Sequence, residues 1–568
     1  MPKIKNIFFI SIILIFSIFS IRFLLKPGFF PVHDNTQVAR VFEMKEALLA
    51  FQFPVRWVAD LGYGYGYPVF NFYNPLPYYF GGFINLFGFS SIGATKLMFI
   101  FAILLSGLTM YFLAREFFGK TGGIISGLFY LYAPYHAVQI YVRGAVAELW
   151  AYAFMPLLFL SFYKLFQSIN LHQSYKKYFL ISALTIAALI LSHNLSVLIW
   201  LPSVIIFVVS LTVLSLKQAR NVFLFFSFSV FLFGFGLSCF FWLPALIEQN
   251  FTSVASMISQ QFNPLNHFVY FNQLWFAFWG YGGSTPGQPD GLSFQIGKLH
   301  LILSLFIIVF VLKEIIKNKK FNKPRFIILF FLILFFFSIF MITSPSTIIW
   351  QVFYFPLSYL QFPWRFLSLS CLTSSFLAGA IIIYLPKNAK LKSFISGLIV
   401  LCLILLNIRY FKPMYTGTFQ DQDFLSDQKL KWETSLISDE YLPQDFPRPE
   451  SSDDLPKEKF ILQKGAYLLI KAQKPQKYSL EIETSSDNLL TANIAYFPGW
   501  QAFLDGQKTP IIKNRGLITL FIPQGQHQID FYFKNTPIRT FANKISLISL
   551  GLLALFLLLK NYYNKIEK

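Results

Sequence analysis

Apolar residues in this chain are gathered into blocks long enough to cross a lipid bilayer, which takes about 20 in succession. The blocks cover roughly 7–25, 92–114, 122–138, 147–168, 178–192, 195–216, 221–247, 299–316, 325–343, 367–386, 393–411 and 541–559. They predict about twelve transmembrane helices. Between 412 and 540 the pattern changes. Short runs of strand-forming residues replace the long blocks: Lys459–Gln463, Ala466–Ala472, Lys477–Glu483, Leu490–Tyr496, Leu517–Ile522 and His527–Phe533. Runs such as the last alternate apolar and polar side chains, as half-buried strands do. Asp505-Gly506 is a tight-turn signal between strands. The expected fold is a polytopic α-helical membrane protein with a small β-sandwich domain before the last helix.

This pattern divides the chain into residues 1–411, a transmembrane unit whose first long loop spans 26–91; residues 412–540, a second domain; and residues 541–568, the last helix and a tail. Within the second domain, the stretch to about Pro456 is a polar lead-in, and the β core is expected at about 457–536.

Composition agrees with the pattern. Charged residues make up 13% of the chain, against roughly 25% in a soluble protein. The net charge of +21 would suit a nucleic-acid partner, but its distribution excludes one. Every second gap between blocks is basic: Lys3 and Lys5; Arg115 and Lys120; Lys164, Lys176 and Lys177; Lys217 and Arg220; Lys313, Lys317, Lys319, Lys320, Lys323 and Arg325; Lys387, Lys390 and Lys392; Lys560, Lys565 and Lys568. Against these 21 cations stand Glu116, Glu314 and Glu567, so +18 of the +21 lies on one side of the membrane. The positive-inside rule makes that side cytoplasmic, with both termini in the cytoplasm of a multi-pass cell-membrane protein. The first block is expected to be a signal anchor, because no small-residue cleavage site follows it.

The loops on the opposite side carry the chemistry. Residues 26–91 hold a helical stretch from Asn35 to Ala50, expected to lie along the membrane surface, and the loop-forming run Gly62-Tyr63-Gly64-Tyr65-Gly66-Tyr67-Pro68. The gap 249–297 is long, with a Gly/Pro-rich tip. Phe118-Gly119-Lys120-Thr121 ends like a phosphate-binding loop, but Ala114 occupies the position that needs glycine. Cys239, Cys371 and Cys402 lie in apolar blocks and form neither a disulfide framework nor a metal cluster.

Acids on this side of the helical part are few: Asp34, Glu43, Glu46, Asp60, Glu148, Glu248 and Asp290. A charge beside hydrocarbon needs a partner or a purpose. Asp34 follows the first helix in an apolar setting, where it is either a site residue or a loop aspartate and helix cap. Glu148 follows Arg143-Gly144 and opens a helix, where an acid also favours the helix dipole. His193-Asn194 ends a helix, and the histidine is either structural or functional. Trp364-Arg365 opens another, where an arginine can snorkel to headgroups. Together with Arg40 and Arg56, these cations would suit a phosphate-bearing lipid.

Asp just after the first helix, a basic residue soon after it, a long aromatic first loop with a surface helix, and a terminal outer domain together resemble the GT-C superfamily. These are multi-spanning glycosyltransferases that take sugar from a polyprenyl-phosphate carrier. The chain is more closely similar to bacterial membrane proteins labelled 6-pyruvoyl-tetrahydropterin synthase-related. The stretches that carry this likeness are Gly66-Tyr67-Pro68-Val69-Phe70-Asn71-Phe72-Tyr73-Asn74-Pro75-Leu76-Pro77-Tyr78-Tyr79, Arg143-Gly144 with Ala147-Glu148, Ser192-His193-Asn194, Tyr496-Phe497-Pro498-Gly499-Trp500 and Pro537-Ile538-Arg539-Thr540. Nothing in the sequence looks like a soluble pterin enzyme with histidine-bound zinc.

The superfamily resemblance implies that Asp34 is the general base that activates an acceptor hydroxyl. It implies a polyprenyl-phosphate-linked sugar and membrane lipids as partners, with no nucleic acid. His33, Arg40, Arg56, Arg143, Glu148, His193, Trp364 and Arg365 are then the candidate substrate-binding residues. Asp34 is flanked by His33 and Asn35 rather than by a second acid, which departs from the commoner pattern. No cofactor is assigned, and a divalent metal stays open. The expected activity is sugar transfer to an envelope acceptor on the outer membrane face. The alternatives are a transporter or flippase of lipid-linked glycans, and a non-enzymatic envelope scaffold.

Overall fold

A computed structural model describes residues 2–254, 263–317, 323–462 and 466–558. The expected basic residues Lys319, Lys320, Lys560, Lys565 and Lys568 lie outside the described residues, as does Gln463 at the end of the first expected strand. Each apolar block falls on helix. The long helices are α1 Pro2–Ile21, α2 Gln37–Leu49, α3 Leu76–Leu86, α4 Ser91–Leu131, α5 Val146–Asn170, α6 Lys176–Ser192 and α7 Asn194–Leu214. They continue as α8 Lys217–Leu237, α9 Cys239–Glu248, α10 Lys298–Lys317, α11 Lys323–Ile342, α12 Leu367–Ala380, α13 Ala389–Asn407 and α14 Pro537–Leu558. Among the described residues, eight helical stretches are both long and apolar enough to cross a membrane.

Two expected blocks, 92–114 and 122–138, run together in α4, which reverses at Gly119 (φ 70°, ψ −173°). Glycine supplies that left-handed φ without a Cβ clash. The two arms then pack through small residues: a Cβ on Gly127 would lie 2.9 Å from the carbonyl oxygen of Gly107, and one on Gly123 would lie 2.9 Å from that of Tyr111. A single continuous element by backbone is therefore a helical hairpin by packing, held by close backbone approach. The block 221–247 is instead broken at Ser238 into α8 and α9. The Ser238 hydroxyl bonds the Gly234 carbonyl oxygen at 2.8 Å, an alternative to the helical ladder.

Helix α12 is buried along its whole length and forms the centre of the bundle, whereas α13 and α14 bury few of their side chains. The apolar surface on those outer helices is what a lipid-facing helix presents.

The second domain is a two-sheet sandwich. One sheet has the order β1-β4-β8-β7, with β1 Phe460–Ile461, β4 Asn488–Ala495, β7 Ile512–Asn514 and β8 Leu517–Ile522. The other runs β2-β3-β9-β5-β6, with β2 Ala466–Lys474, β3 Lys477–Thr484, β5 Trp500–Leu504, β6 Gln507–Thr509 and β9 Gly525–Phe533. Asp505-Gly506 makes the β5–β6 turn, as expected; both residues take positive φ.

The sandwich docks on the first long loop. Trp500 of β5 meets Trp57 edge-to-face at 5.4 Å, the amide of Ala495 donates to the Tyr65 carbonyl oxygen at 2.9 Å, and Lys459 Nζ donates to the Gly64 carbonyl oxygen at 2.9 Å. The Gly/Tyr run is thus a docking platform, its backbone turned through positive φ at Gly62, Tyr63, Gly64 and Gly66. Glu43 of α2 is buried under this contact and accepts from the Asp60 amide at 3.2 Å. Burial, with Asp60 nearby, pushes its carboxyl well above the usual carboxylate range. Burial also pushes the Lys459 amine down to about 8.

Candidate functional site

Asp34 is placed by backbone, not by its own side chain. The amides of His33 and Asp34 donate to the carbonyl oxygens of Val142 and Arg143 at 3.0 and 2.9 Å. Residues Gln139–Arg143 form a π-helical turn, ended by Gly144 in the left-handed conformation (φ 69°). Turns of this kind are frequent at functional sites. A Cβ on Gly144 would stand 2.4 Å from Val32, so only glycine lets the two segments meet. Gln37, at the start of α2, braces the pair: its amide donates to the Gly144 carbonyl oxygen at 2.9 Å, and its carbonyl accepts from Tyr78. The half-buried Asp34 carboxylate makes no hydrogen bond or ion pair with any described residue. It lies within electrostatic reach of Arg143, Tyr73 and Tyr78.

Beside it is a buried cluster built on Glu148, in the first turn of α5. Its Oε2 accepts from Arg143 Nη1 at 2.6 Å and from Arg365 Nη1 at 3.4 Å. Its Oε1 accepts from the hydroxyls of Tyr152 at 2.5 Å and Tyr135 at 3.2 Å. Arg143 also donates to Gln139 at 2.8 Å, and Arg365 to Gln361 at 3.0 Å. Both guanidinium groups lie over the Trp364 ring, 4.9 and 5.8 Å from its centroid. Two arginines thus share one carboxylate and leave one positive charge over. The Arg365 Nε is buried without a partner. A buried cation left over in this way favours an anion. The dipole and ion-pair roles of Glu148 coexist, and the ion pair is the one that tertiary contact supplies.

The remaining candidates separate. His33 is exposed, and its Nε2 bonds the carbonyl oxygen of Tyr281 at 2.8 Å, tying the 263–297 loop to the Asp34 segment. His193 caps α7: its Nδ1 accepts from the Ser196 amide at 3.2 Å, and its ring is within electrostatic reach of Glu148 and Arg365. Arg40 is buried, 4.0 Å over the Tyr73 ring, and donates to Ser438 at 2.8 Å in the polar lead-in. Arg56 is brought to a different place. It bonds Asn71 at 2.9 Å, the Phe240 carbonyl oxygen at 2.8 Å and Asn543 at 3.0 Å. There it joins the pair Glu248–Arg539 (2.9 Å), which anchors α14.

Sequence reasoning missed Gln37, Gln139, Tyr73, Tyr78, Tyr135 and Tyr152. The Tyr152 position carried a signal, one helical turn after Glu148 on the same face. The glutamines carried none.

An apolar groove of about 510 Å³ runs between α7, α11 and the short helices at Thr347–Val352 and Tyr354–Ser358. Its lining includes Pro202, Phe330, Phe337 and Phe366. Phe366 adjoins Arg365 in sequence, so one wall of the groove borders the charged cluster. Among the described residues, no group of three or more His, Cys, Asp or Glu side chains could hold a metal ion. Asp34 offers a single carboxylate, with the His33 ring engaged by Tyr281, which does not fit a cation site.

Several solved structures resemble this chain. The apo oligosaccharyltransferase of Archaeoglobus fulgidus superposes with a TM-score of 0.50 at 14% identity, over 81% of this chain and 62% of that one. The oligosaccharyltransferase AglB from the same organism, in complex with an inhibitory peptide and a dolichol-phosphate, matches with a TM-score of 0.45 at 14% identity, over 80% and 61%. ArnT from Cupriavidus metallidurans, bound to undecaprenyl phosphate, matches at 0.39 and 14% identity, over 72% and 65%. The chain therefore spans less than two thirds of the length of these proteins. At such identities the likeness concerns the fold alone. No curated protein matches the sequence significantly. A family model described as the 6-pyruvoyl-tetrahydropterin synthase related domain, membrane protein, matches residues 70–413. That stretch is more than half of the chain and includes Arg143, Glu148, His193 and Arg365, so the protein belongs to the 6-pyruvoyl-tetrahydropterin synthase related family of membrane proteins.

Proposed function

We propose that this protein is a GT-C-type glycosyltransferase that moves a sugar from a polyprenyl-phosphate donor to an envelope acceptor. The reading rests on one observation. A carboxylate without a protein partner, Asp34, is held by backbone hydrogen bonds against Arg143, whose cluster carries an excess positive charge at the ends of membrane helices. The fold shared with an oligosaccharyltransferase supports it.

In this mechanism the donor tail lies in the groove lined by Phe330, Phe337 and Phe366, and its phosphate meets Arg365 and Arg143. Asp34 accepts the proton of the acceptor hydroxyl as that oxygen bonds the anomeric carbon. The bond from that carbon to the phosphate oxygen breaks with its electron pair, leaving polyprenyl phosphate. General-base catalysis of this kind contributes roughly 10²–10⁴-fold, and cations on the departing phosphate contribute further. Trp364 holds both guanidinium planes by cation–π contact. The β domain lies outside the cell membrane in this reading, and both termini are cytoplasmic.

The test uses the purified protein in nanodiscs with a panel of polyprenyl-phosphate hexoses and extracted envelope glycan, followed by mass spectrometry. Donor-dependent addition of one sugar mass is the expected result. Binding of the donors without transfer to any acceptor, together with their movement between leaflets in proteoliposomes, would replace the enzyme by a flippase.

A further inference from the structure

A second cavity lies on the β domain, away from Asp34. It is a cleft of about 310 Å³ lined by Tyr496, Gln501, Lys508, Thr509, Asn535 and the Gly499-Trp500 corner. Its volume is at the small end of the range for small-molecule sites, roughly 300–1,000 Å³. We propose that this cleft binds a saccharide.

The lining has the chemistry that a sugar ring needs. Gln501, Lys508, Thr509 and Asn535 carry carboxamide, amine and hydroxyl groups, and none of them bonds another described residue through its side chain. Their donors and acceptors are available to hydroxyl groups, which both give and take hydrogen bonds. No carboxylate and no metal-ligating set lines the cleft, and one cation, Lys508, does. Tyr496, half-buried at the edge, supplies an aromatic ring for the apolar face of a pyranose. Lys513 stands 6.0 Å from that ring's centroid, but its charge is engaged by Asp445 at 2.8 Å.

The floor of the cleft is rigid. Gly499 takes φ 118°, and a Cβ there would lie 2.5 Å from the Lys534 carbonyl oxygen. The Lys534 amide donates back to the Gly499 carbonyl oxygen at 2.8 Å. Trp500 is wedged against Trp57, Tyr478 and Phe533, at ring distances of 5.4, 6.1 and 5.5 Å. A binding surface fixed in advance loses little conformational freedom when it is occupied. The apolar groove between α7 and α11 is the opposite case, since its lining is almost wholly hydrocarbon.

The proposal is independent of the transferase reading, because a scaffold with a glycan-binding domain would carry the same cleft. It is tested with the full chain in nanodiscs on a printed array of neutral and acidic glycans, with unglycosylated peptides as the comparison ligand. Wild type is expected to bind a subset of the glycans. The surface double variant Gln501→Ala/Lys508→Ala, which removes no core contact, is expected to lose at least about tenfold in affinity at an unchanged melting temperature; tenfold is the loss from one to two good hydrogen bonds. Tyr496→Ala is expected to lose as much or more. No glycan bound by wild type, binding of the peptides alone, or affinity unchanged in the double variant would each overturn the assignment.

Discussion

The amide of Asp34 donates to the carbonyl oxygen of Arg143 over 2.9 Å, so the aspartate after the first helix and the arginine that pairs with Glu148 share one backbone junction. The junction exists because Gly144 turns left-handed under Val32. Its effect is to fix a carboxylate and a cation relative to one another without neutralising either through the other's side chain.

Asp34→Asn follows directly. The carboxylate bonds no described side chain, so the amide should leave the fold intact, with a melting temperature within about 1 °C of wild type, as for other surface changes. Transfer of sugar should fall by roughly 10²–10⁴-fold. Full turnover by a folded Asp34→Asn protein would remove the proposed base and direct attention to Glu148.

Arg365 and Glu148 should respond differently, although they touch. Arg365→Ala takes one of two cations from the cluster and leaves Glu148 paired with Arg143. Donor affinity should weaken, and turnover at saturation should fall as well because one cation on the departing phosphate is lost, read as a higher KM together with a lower kcat. Glu148→Ala strands two buried guanidinium groups, a class of change that costs about 3–5 kcal/mol. It should lower the yield of folded protein in fluorescence-detected size exclusion, whatever the donor concentration.

Topology is checked by single cysteines in a background lacking Cys239, Cys371 and Cys402. Residues 284 and 452 should label with an impermeant thiol reagent on intact cells, or on spheroplasts if an outer membrane intervenes. A cysteine at Asn318, outside the described residues, should not. Labelling at 318 alone would invert the orientation.

Residues 457–536, expressed alone, should give a β-type circular dichroism spectrum and a cooperative melt, because both sheets close within that segment. The isolated sandwich loses the Trp57–Trp500 contact and the Lys459–Gly64 and Ala495–Tyr65 hydrogen bonds. Its midpoint should therefore lie below that of the same domain in the full chain. A disordered spectrum would count against an autonomous unit.

Glu43 predicts a pH effect. Its folded carboxyl titrates well above 4.5 because of burial and the neighbouring Asp60. For an acid shifted upward, the folded state is penalised progressively as pH rises from the unfolded value toward the folded one, and not below both. Glu43→Gln removes the penalty and keeps an acceptor for the Asp60 amide. Its melting temperature should match wild type near pH 4 and exceed it by about 1–2 °C at pH 7.5, a shift suited to roughly 1 kcal/mol in a large chain. A gain at pH 4 that vanishes at pH 7.5 would reverse the sign and refute the account.

Hydrophobic periodicity was enough to place each apolar block on a helix, to read strand runs such as Lys477–Glu483 and Leu517–Ile522, and to locate the turn at Asp505-Gly506. Burial in a bilayer and in a sandwich core imposes long apolar runs and short alternating ones, and both are local patterns. The short strands β5, β6 and β7 were not legible, because partners elsewhere in the chain, such as β9 for Trp500–Leu504, define them. The reversal at Gly119 is another case: the glycine is visible in the sequence, but the packing of Gly107 on Gly127 is not. Candidate side chains could be picked out by charge beside hydrocarbon, since such a charge is costly wherever it sits. Which of them meet was decided only by tertiary structure. Arg143 and Arg365 converge on Glu148, Arg40 turns to Ser438, and Arg56 goes to Asn71 and Asn543. The partner of a long cationic side chain depends on helix packing and on how the β domain docks, and neither leaves a periodic trace in the sequence around it.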